Sequence, residues 1–422
     1  MQSCVASRSS VPTGVIAIVG AGAAGLATAI FAARRGVKGP ILLFEGAQRP
    51  GAKILVSGGS RCNVTNAVVT ERDFSGSAGH LVKRVLRAFG VDETVGFFRE
   101  IGVPLHEEEH GKLFPDANRS KVVLEALLGE VELRGVRLLA GERVLEVAAR
   151  GGGGYRVTTS RGAHDAERVV LATGGLSLPK TGSDGLGLEI ARRCGHAIVP
   201  TTPALVPLVL AGSFHAPLSG VAHEAELSVL DPGRRPFRRK GSLLWTHFGV
   251  SGPVVLDVSR AYLRAGLEGG SPVLEANLLP GRDFAWVERE LVELAAETPR
   301  ANVARALARR LPQAVAQAVA ADAGCGETTL GRLTREERRR LVRGIVERRL
   351  PVVGNRGYSF AEATAGGVPL AEVDTATMHS KRQPGLFLVG EMLDVDGRIG
   401  GFNFQWAWSS GWVAAGGLAR PL

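Results

Sequence analysis

Residues 15–45 read VIAIVGAGAAGLATAIFAARRGVKGPILLFE, and this stretch decides the fold. Val15–Val19 is a short apolar run ending in glycine, the pattern of a strand buried on both faces. Gly20-Ala21-Gly22-Ala23-Ala24-Gly25 follows, then the Ala-rich run Leu26–Arg35, then a second apolar run, Ile41–Phe44, closed by Glu45. Strand, glycine turn, helix and strand make a β-α-β unit. A GxGxxG string alone is weak evidence. Here a strand precedes it, a helix follows it, and an acidic residue stands 20 positions after the last glycine, which together point to a dinucleotide. Gly20 permits the tight turn, Gly22 lets the backbone approach a pyrophosphate, and Gly25 lets helix and strand pack closely. Ala23 and Ala24 belong to the same cofactor-binding loop, and the N-terminus of the helix that follows, with its free N–H groups and partial positive charge, suits an anion. Glu45 is placed to accept hydrogen bonds from a ribose that carries no 2′-phosphate. The competing reading is a glycine-rich turn that binds nothing.

Working outward, 422 residues predict two or three structural units. Val136–Ala148 and Tyr155–Ser160 alternate like hairpin strands around Gly151–Gly154, and Val169–Ala172 reads as another buried strand running into Thr173-Gly174-Gly175. From about Pro200, recurring prolines and short runs such as Ala225–Leu230 and Ser242–Thr246 suggest a β-rich insertion. Between Arg282 and Leu350 the pattern turns helical, and Thr334 and Glu337 have capping-box spacing. Leu386–Val389 and a helix-like tail from about Asn403 return to the character of the first third. The expected architecture is α/β: a dinucleotide-binding domain over 15–197 and 351–422, a β-rich module over 198–281, a helical module over 282–350, and a loose tail over 1–14.

Composition excludes several classes. With 45% hydrophobic and 22% charged residues the chain builds a core, and it contains no run of about 18 apolar residues. A cytoplasmic protein with no membrane span is expected. The net charge of +10 comes from 51 basic and 41 acidic residues, only eight of the basic ones Lys; an Arg, Ala and Gly bias of this kind reads as codon usage and argues little for nucleic acid. Cys4, Cys62, Cys194 and Cys325 form no CxxC pair, so a metal site or dithiol motif is not expected.

The segments Gly51–Asn66 (GAKILVSGGSRCNVTN), Thr173–Gly185, Trp245–Pro253 (WTHFGVSGP) and Gly390–Gly411 (GEMLDVDGRIGGFNFQWAWSSG) resemble, in order along the chain, the bacterial BaiN-like or aminoacetone-oxidase-like FAD-binding flavoproteins. The resemblance implies an NAD(P)/FAD-dependent oxidoreductase with a Rossmann-like FAD-binding domain interrupted by a β-barrel-like and a helical module. By the same resemblance, non-covalent FAD moves a hydride between flavin N5 and a small organic substrate, either an amine or related donor oxidised at the expense of oxygen or an unsaturated compound reduced with NAD(P)H as transient donor. It implies that Gly20, Gly22, Gly25 and Glu45 hold the ADP half, and that Lys53, Ser57, Gly58, Gly59, Arg61, Cys62 and Asn63 run beside the pyrophosphate and flavin. Val144 would meet the adenine side, and Thr173 and Gly174 the passing cofactor. Gly390-Glu391 occupies the place of a Gly-Asp pair in related flavoproteins; the longer Glu391 shifts the expected ribityl contact toward Asp396 or a backbone amide. Gly401, Phe402 and Asn403 open the last helix, whose positive end suits a reduced, anionic flavin.

Each tempting residue has a plainer reading. Trp406, Trp408 and Trp412 fit helix packing as well as a substrate box. Cys62 fits a small packed residue as well as a redox thiol. His247, in WTHFGVSGP, is the candidate catalytic acid or base, expected to face Gly401, Asn403 and Gln405; a hydrogen-bonded structural histidine is the alternative. The Arg-rich run Arg335–Arg349 reads as a solvated helix face, with an RNA-modifying or RNA-binding flavoprotein as the competing function.

Overall fold

Strand β1 (Ile16–Val19) lies at the heart of a seven-stranded sheet because its four side chains are all buried and have sheet neighbours on both sides. On one side it pairs in parallel with β2 (Ile41–Glu45), which pairs with Arg137–Ala140. On the other it pairs in parallel with Arg168–Leu171, followed by Leu386–Leu388. Two short antiparallel strands, His379–Ser380 and Val373–Asp374, complete the order. The chain therefore leaves β1 toward one side and later returns on the other, which opens a crevice at the carboxyl end of β1, where ligands of open α/β sheets bind.

This computed structural model describes residues 14–421. The loose tail expected over 1–14 falls outside them except for Gly14, as does Cys4. The described residues divide into two units, one made of 14–201 and 362–421, the other of Thr202–Ala361.

In the first unit, helix α1 (Ala23–Arg34) is apolar nearly all round and buried from Ala24 to Ala32, as a helix covered on every side must be. Its partner is the last helix, Phe402–Leu418. Close approach depends on Gly411, where an added Cβ would stand 3.0 Å from Ala27 Cβ and from the Thr28 amide nitrogen. A small antiparallel sheet, Val144–Ala149, Tyr155–Thr159 and Gly162–Ala166, carries the hairpin at Gly151–Gly154.

The second unit is built on antiparallel pairs in the order Arg348–Leu350, Val273–Asn277, Ala222–Leu230, Phe237–Thr246, Gly249–Ser251, Leu208–Leu210, Val352–Asn355. Its first and last members are separated in the chain by Pro351 alone. One bent strand thus pairs with both ends of the sheet and closes it into a barrel, with proline, which lacks an N–H, at the bend. Helices Phe284–Glu297, Val303–Leu307, Gln313–Asp322 and Arg335–Val346 share its apolar core, where Leu227, Trp245 and Leu274 join Val315, Leu341 and Ile345. The capping box forms: Thr334 Oγ1 accepts from the Glu337 amide at 3.2 Å, and Glu337 accepts from the Thr334 amide at 2.9 Å. No helix of the described residues is long and apolar enough to cross a membrane.

Candidate functional site

Two of the three glycines in the first loop are required by the chain itself. Gly20 has φ +104°, and a Cβ there would sit 2.5 Å from the Ala172 carbonyl oxygen. At Gly25 it would sit 1.8 Å from the Gly20 carbonyl oxygen. Gly22 is different: its φ of −82° suits any residue, and a Cβ would meet nothing within 4 Å. The protein's own packing gives no reason for glycine at 22, so the open space in front of it is the feature to explain. Ala23 and buried Ala24 begin the helix whose amides border that space.

Glu45 ends β2 with its carboxylate turned toward the loop, Oε2 accepting from the Ala21 amide at 3.1 Å and Oε1 from the Ala47 amide at 2.9 Å. It lines a pocket of about 250 Å³ with Gly20, Val144 and Thr173, slightly below the usual range of roughly 300–1,000 Å³ for whole small-molecule sites and suited to one end of a dinucleotide. Thr173 Oγ1 is buried there without a hydrogen-bond partner among the described residues. Arg143, Lys180 and Asp184 also line the pocket, and Arg143 pairs with Asp184 at 2.5 Å; Lys180 and Asp184 lie within the marked segment Thr173–Gly185, whereas nothing in the sequence pointed to Arg143.

Beyond the pocket, Gly174 (φ +72°) leads toward Lys53: an added Cβ would lie 2.6 Å from Ser183 Oγ and 4.0 Å from Lys53 Nζ. Lys53, in helix α2 (Ala52–Ser60), donates to Glu391 at 2.8 Å and to Ser177 Oγ at 2.9 Å. Ser177 Oγ donates to Glu391 at 2.6 Å, and the Thr364 amide donates to the same oxygen at 3.0 Å. Gly390 (φ +73°) brings Glu391 here by letting the backbone pass α1, where a Cβ would stand 2.7 Å from Ala24 Cβ. Ser177 and Thr364 complete this network. Ser177 lay within a segment the sequence marked as important; nothing local marked Thr364.

The helical backbone of α2 stops at Ser57 (ψ 149°), and Gly58, Gly59, Ser60 and Cys62 are all left-handed, with φ of 53°, 66°, 66° and 63°. For Ser60 and Cys62 that conformation costs on the order of 1–3 kcal/mol each, a strain characteristic of ligand-binding loops. Ser57 turns its hydroxyl back to the Ile54 carbonyl, and Gly59 faces open space. Arg61 pairs with Glu108 at 2.6 Å and lies over the Phe114 ring at 4.1 Å. Asn63 Oδ1 is buried without a partner. Cys62 is fully buried, and burial pushes its thiol up to about 12, which leaves a packed, unreactive group.

At the start of the last helix, Gly401 (φ +93°) lies so close to Thr65 that a Cβ would stand 2.4 Å from its carbonyl oxygen. Asn403 clamps the preceding turn, accepting from the Gly397 amide at 2.8 Å and donating to the Gly397 carbonyl at 3.0 Å. Phe402 and Asp396 are buried. Gln405 departs from expectation: it is fully buried, accepting from the Thr65 and Thr94 hydroxyls and donating to the Phe89 carbonyl, so it fastens the core. Trp406 and Trp408 are buried and donate to the carbonyls of Gly390 and Val64, while Trp412 stacks on Phe89; all three pack. His247 belongs to the second unit, exposed in the turn between Phe237–Thr246 and Gly249–Ser251, its ring edge-on to Phe248 at 5.1 Å. Every other residue of the expected site lies in the first unit.

The first unit thus offers an open space at a helix N-terminus, a carboxylate at the end of the second strand, and unpartnered polar atoms at Thr173 and Asn63. These residues fit an adenine dinucleotide with a further group beyond its pyrophosphate.

The profile of the HI0933-like protein Rossmann domain matches residues 14–417. An Escherichia coli (strain K12) protein named ribosomal RNA dihydrouridine synthase is 34% identical over 398 residues, covering 94% of this chain and 96% of that one. A Haemophilus influenzae protein of the same name is 31% identical over 408 residues, with 96% and 98% covered. The 3-dehydro-bile acid delta(4,6)-reductase of Clostridium scindens is 30% identical over 410 residues, with 96% and 99% covered.

Proposed function

Because the chain belongs to the HI0933-like family, we propose that it is an FAD-dependent oxidoreductase that saturates a carbon–carbon double bond conjugated to a carbonyl. The observation that carries the cofactor is the pocket formed by Gly20, Glu45, Val144 and Thr173 beside the open space at Gly22. The reaction type is supported by what the relatives' names share: dihydrouridine is uridine with one ring double bond saturated, and a 3-dehydro steroid delta(4,6)-reductase removes unsaturation in line with a ketone. FAD, held by these residues, would supply hydride chemistry to the double bond, with a proton completing the addition and NAD(P)H as the source of the electrons.

The chain's own groups bind, orient and tune. The amides that open α1 would hold the pyrophosphate, and Glu45, held by the Ala21 and Ala47 amides, would accept from the ribose hydroxyls. Lys53 and Glu391 neutralise each other along the path from the pocket, while Ser177 and Thr364 hold the carboxylate in one orientation. The N-terminus of Phe402–Leu418 stabilises negative charge placed before it. His247 is the proposed proton donor, as an exposed imidazole within the family-like WTHFGVSGP segment.

A second reading places the conjugated ring, a uracil, in RNA. Two relatives are so named. It is also favoured by Arg335, Arg339 and Arg343, exposed at successive turns of one helix and in no ion pair among the described residues, whereas Arg338 pairs with Glu288 and Arg340 caps the Ala323 carbonyl. Such a row suits phosphates.

The test is the visible spectrum of the purified protein, followed by anaerobic titration with NADH and NADPH and then addition of a conjugated enone or a uridine-containing RNA. Reoxidation by one of the two is expected. Bound FMN in place of FAD, or a reduced flavin indifferent to both acceptors, overturns the reading.

A further inference from the structure

Building on the RNA reading, we propose that Phe248, Arg356 and Phe360 form a stacking platform for one unpaired RNA base. All three belong to the second unit. The guanidinium carbon of Arg356 lies over both rings, 4.5 Å from the centre of Phe248 and 4.0 Å from that of Phe360. His247 meets Phe248 edge-on, extending the cluster to a fourth planar group.

The loop carrying the platform is fixed independently of any ligand. The Arg356 amide donates to the Pro207 carbonyl at 3.1 Å, the Gly357 amide to Asn355 Oδ1 at 2.7 Å, and the Phe360 amide to the Gly357 carbonyl at 3.1 Å. Gly357, at φ +70°, makes the turn that brings Phe360 back to Arg356. Phe360 nonetheless leaves 51% of its surface exposed. An aromatic ring that is preorganised and still half in water loses little entropy when a second planar group covers it.

The charge narrows the occupant. Arg356 forms no ion pair with a carboxylate among the described residues, and its guanidinium, packed against the two rings, keeps N–H donors for an anionic or carbonyl-rich partner. A flat, apolar-faced group with acceptor edges, attached to a phosphate chain, is a nucleotide in a single strand. Unpaired bases are recognised by stacking on aromatic side chains and guanidinium planes, while duplexes hide those faces.

The experiment uses the FAD-loaded full chain and a fluorescein-labelled, uridine-rich single-stranded RNA, with the matching duplex as the second probe, read by anisotropy at several salt concentrations. Wild type is expected to bind the single strand more tightly than the duplex. Phe360→Ala should weaken single-strand binding roughly tenfold, the size of one lost base–aromatic stack, without changing the salt slope; Phe360→Tyr should restore it. Arg343→Gln should lower the salt slope and leave the preference for single strand intact. If wild type binds the RNA and Phe360→Ala binds it equally well, the platform is overturned and the RNA reading stands. Absence of binding by wild type overturns both, while enone-driven reoxidation of the flavin would still uphold the oxidoreductase reading.

Discussion

The two ends of the first unit's candidate site solve the same problem oppositely. At the Glu45 end, space and polar groups are left open: Gly22 faces nothing within 4 Å, and Thr173 Oγ1 is buried without a partner. At the Lys53 end the polar groups satisfy one another, through Lys53, Glu391, Ser177 and the Thr364 amide. The first end is preformed for its ligand, whereas at the second a ligand must exchange partners with groups already bonded. Affinity should therefore be concentrated at the first end and structural stability at the second.

The sharpest way to break this contrast is within the glycine loop. Gly25→Ala places a methyl 1.8 Å from a carbonyl oxygen, and we expect a loss of more than about 3 kcal/mol in apo-protein stability, measured by urea unfolding. Gly22→Val, at the N-cap of α1, should cost the apo-protein no more than about 1 kcal/mol and abolish FAD retention. If both variants unfold early, the distinction between a glycine required by the fold and one required by a ligand is lost.

Glu45→Gln removes the charge from the ribose contact and should weaken FAD by about 1–3 kcal/mol, read by fluorescence titration of the apo-protein. Lys53→Met should do the reverse, costing the apo-protein about 1–2 kcal/mol, since solvent reaches both partners and moderates the loss of the pair. A larger effect of Lys53→Met on FAD affinity than on unfolding would show that the network serves the ligand first.

The smallest effect concerns Cys62. With its thiol pushed up to about 12 by burial, it should resist alkylation at pH 8 until the protein unfolds. The folded state keeps a proton that an unfolded cysteine releases at about pH 8.5, so this residue's contribution is constant below that pH and is lost as pH rises toward 12. Rapid modification of native protein at pH 8, located at Cys62 by mass spectrometry, would contradict that environment.

What could be read from sequence follows the range of the forces involved. Short-range rules located β1, α1 and β2, the strands at 155–159 and 168–171, and the Thr334–Glu337 cap, because each depends on neighbours within a few residues. The Gly20–Gly25 loop was legible for the same reason. Arg143 and Thr364 were not, because they meet their partners Asp184 and Glu391 only through pairing across long separations. Gln405 was misplaced toward the ligand since a polar residue at a helix start resembles a binding group; only the approach of Thr65, Thr94 and the Phe89 carbonyl shows that its amide is consumed in the core. The strand that closes the barrel was equally hidden: nothing in residues 348–355 announces that one strand serves two edges.

The parallel pairing of Arg168–Leu171 with Leu386–Leu388 has a consequence for biosynthesis. During translation the whole of Thr202–Ala361 emerges from the ribosome before that strand does. Until then Arg168–Leu171 has an unpaired edge, and α1 lacks the Phe402–Leu418 helix that covers it. The nascent protein is thus expected to carry a finished second unit beside an unfinished first one, with the nucleotide loop assembled last and most exposed to chaperones. A chain stopped after residue 361 should yield a protease-resistant fragment from the second unit alone.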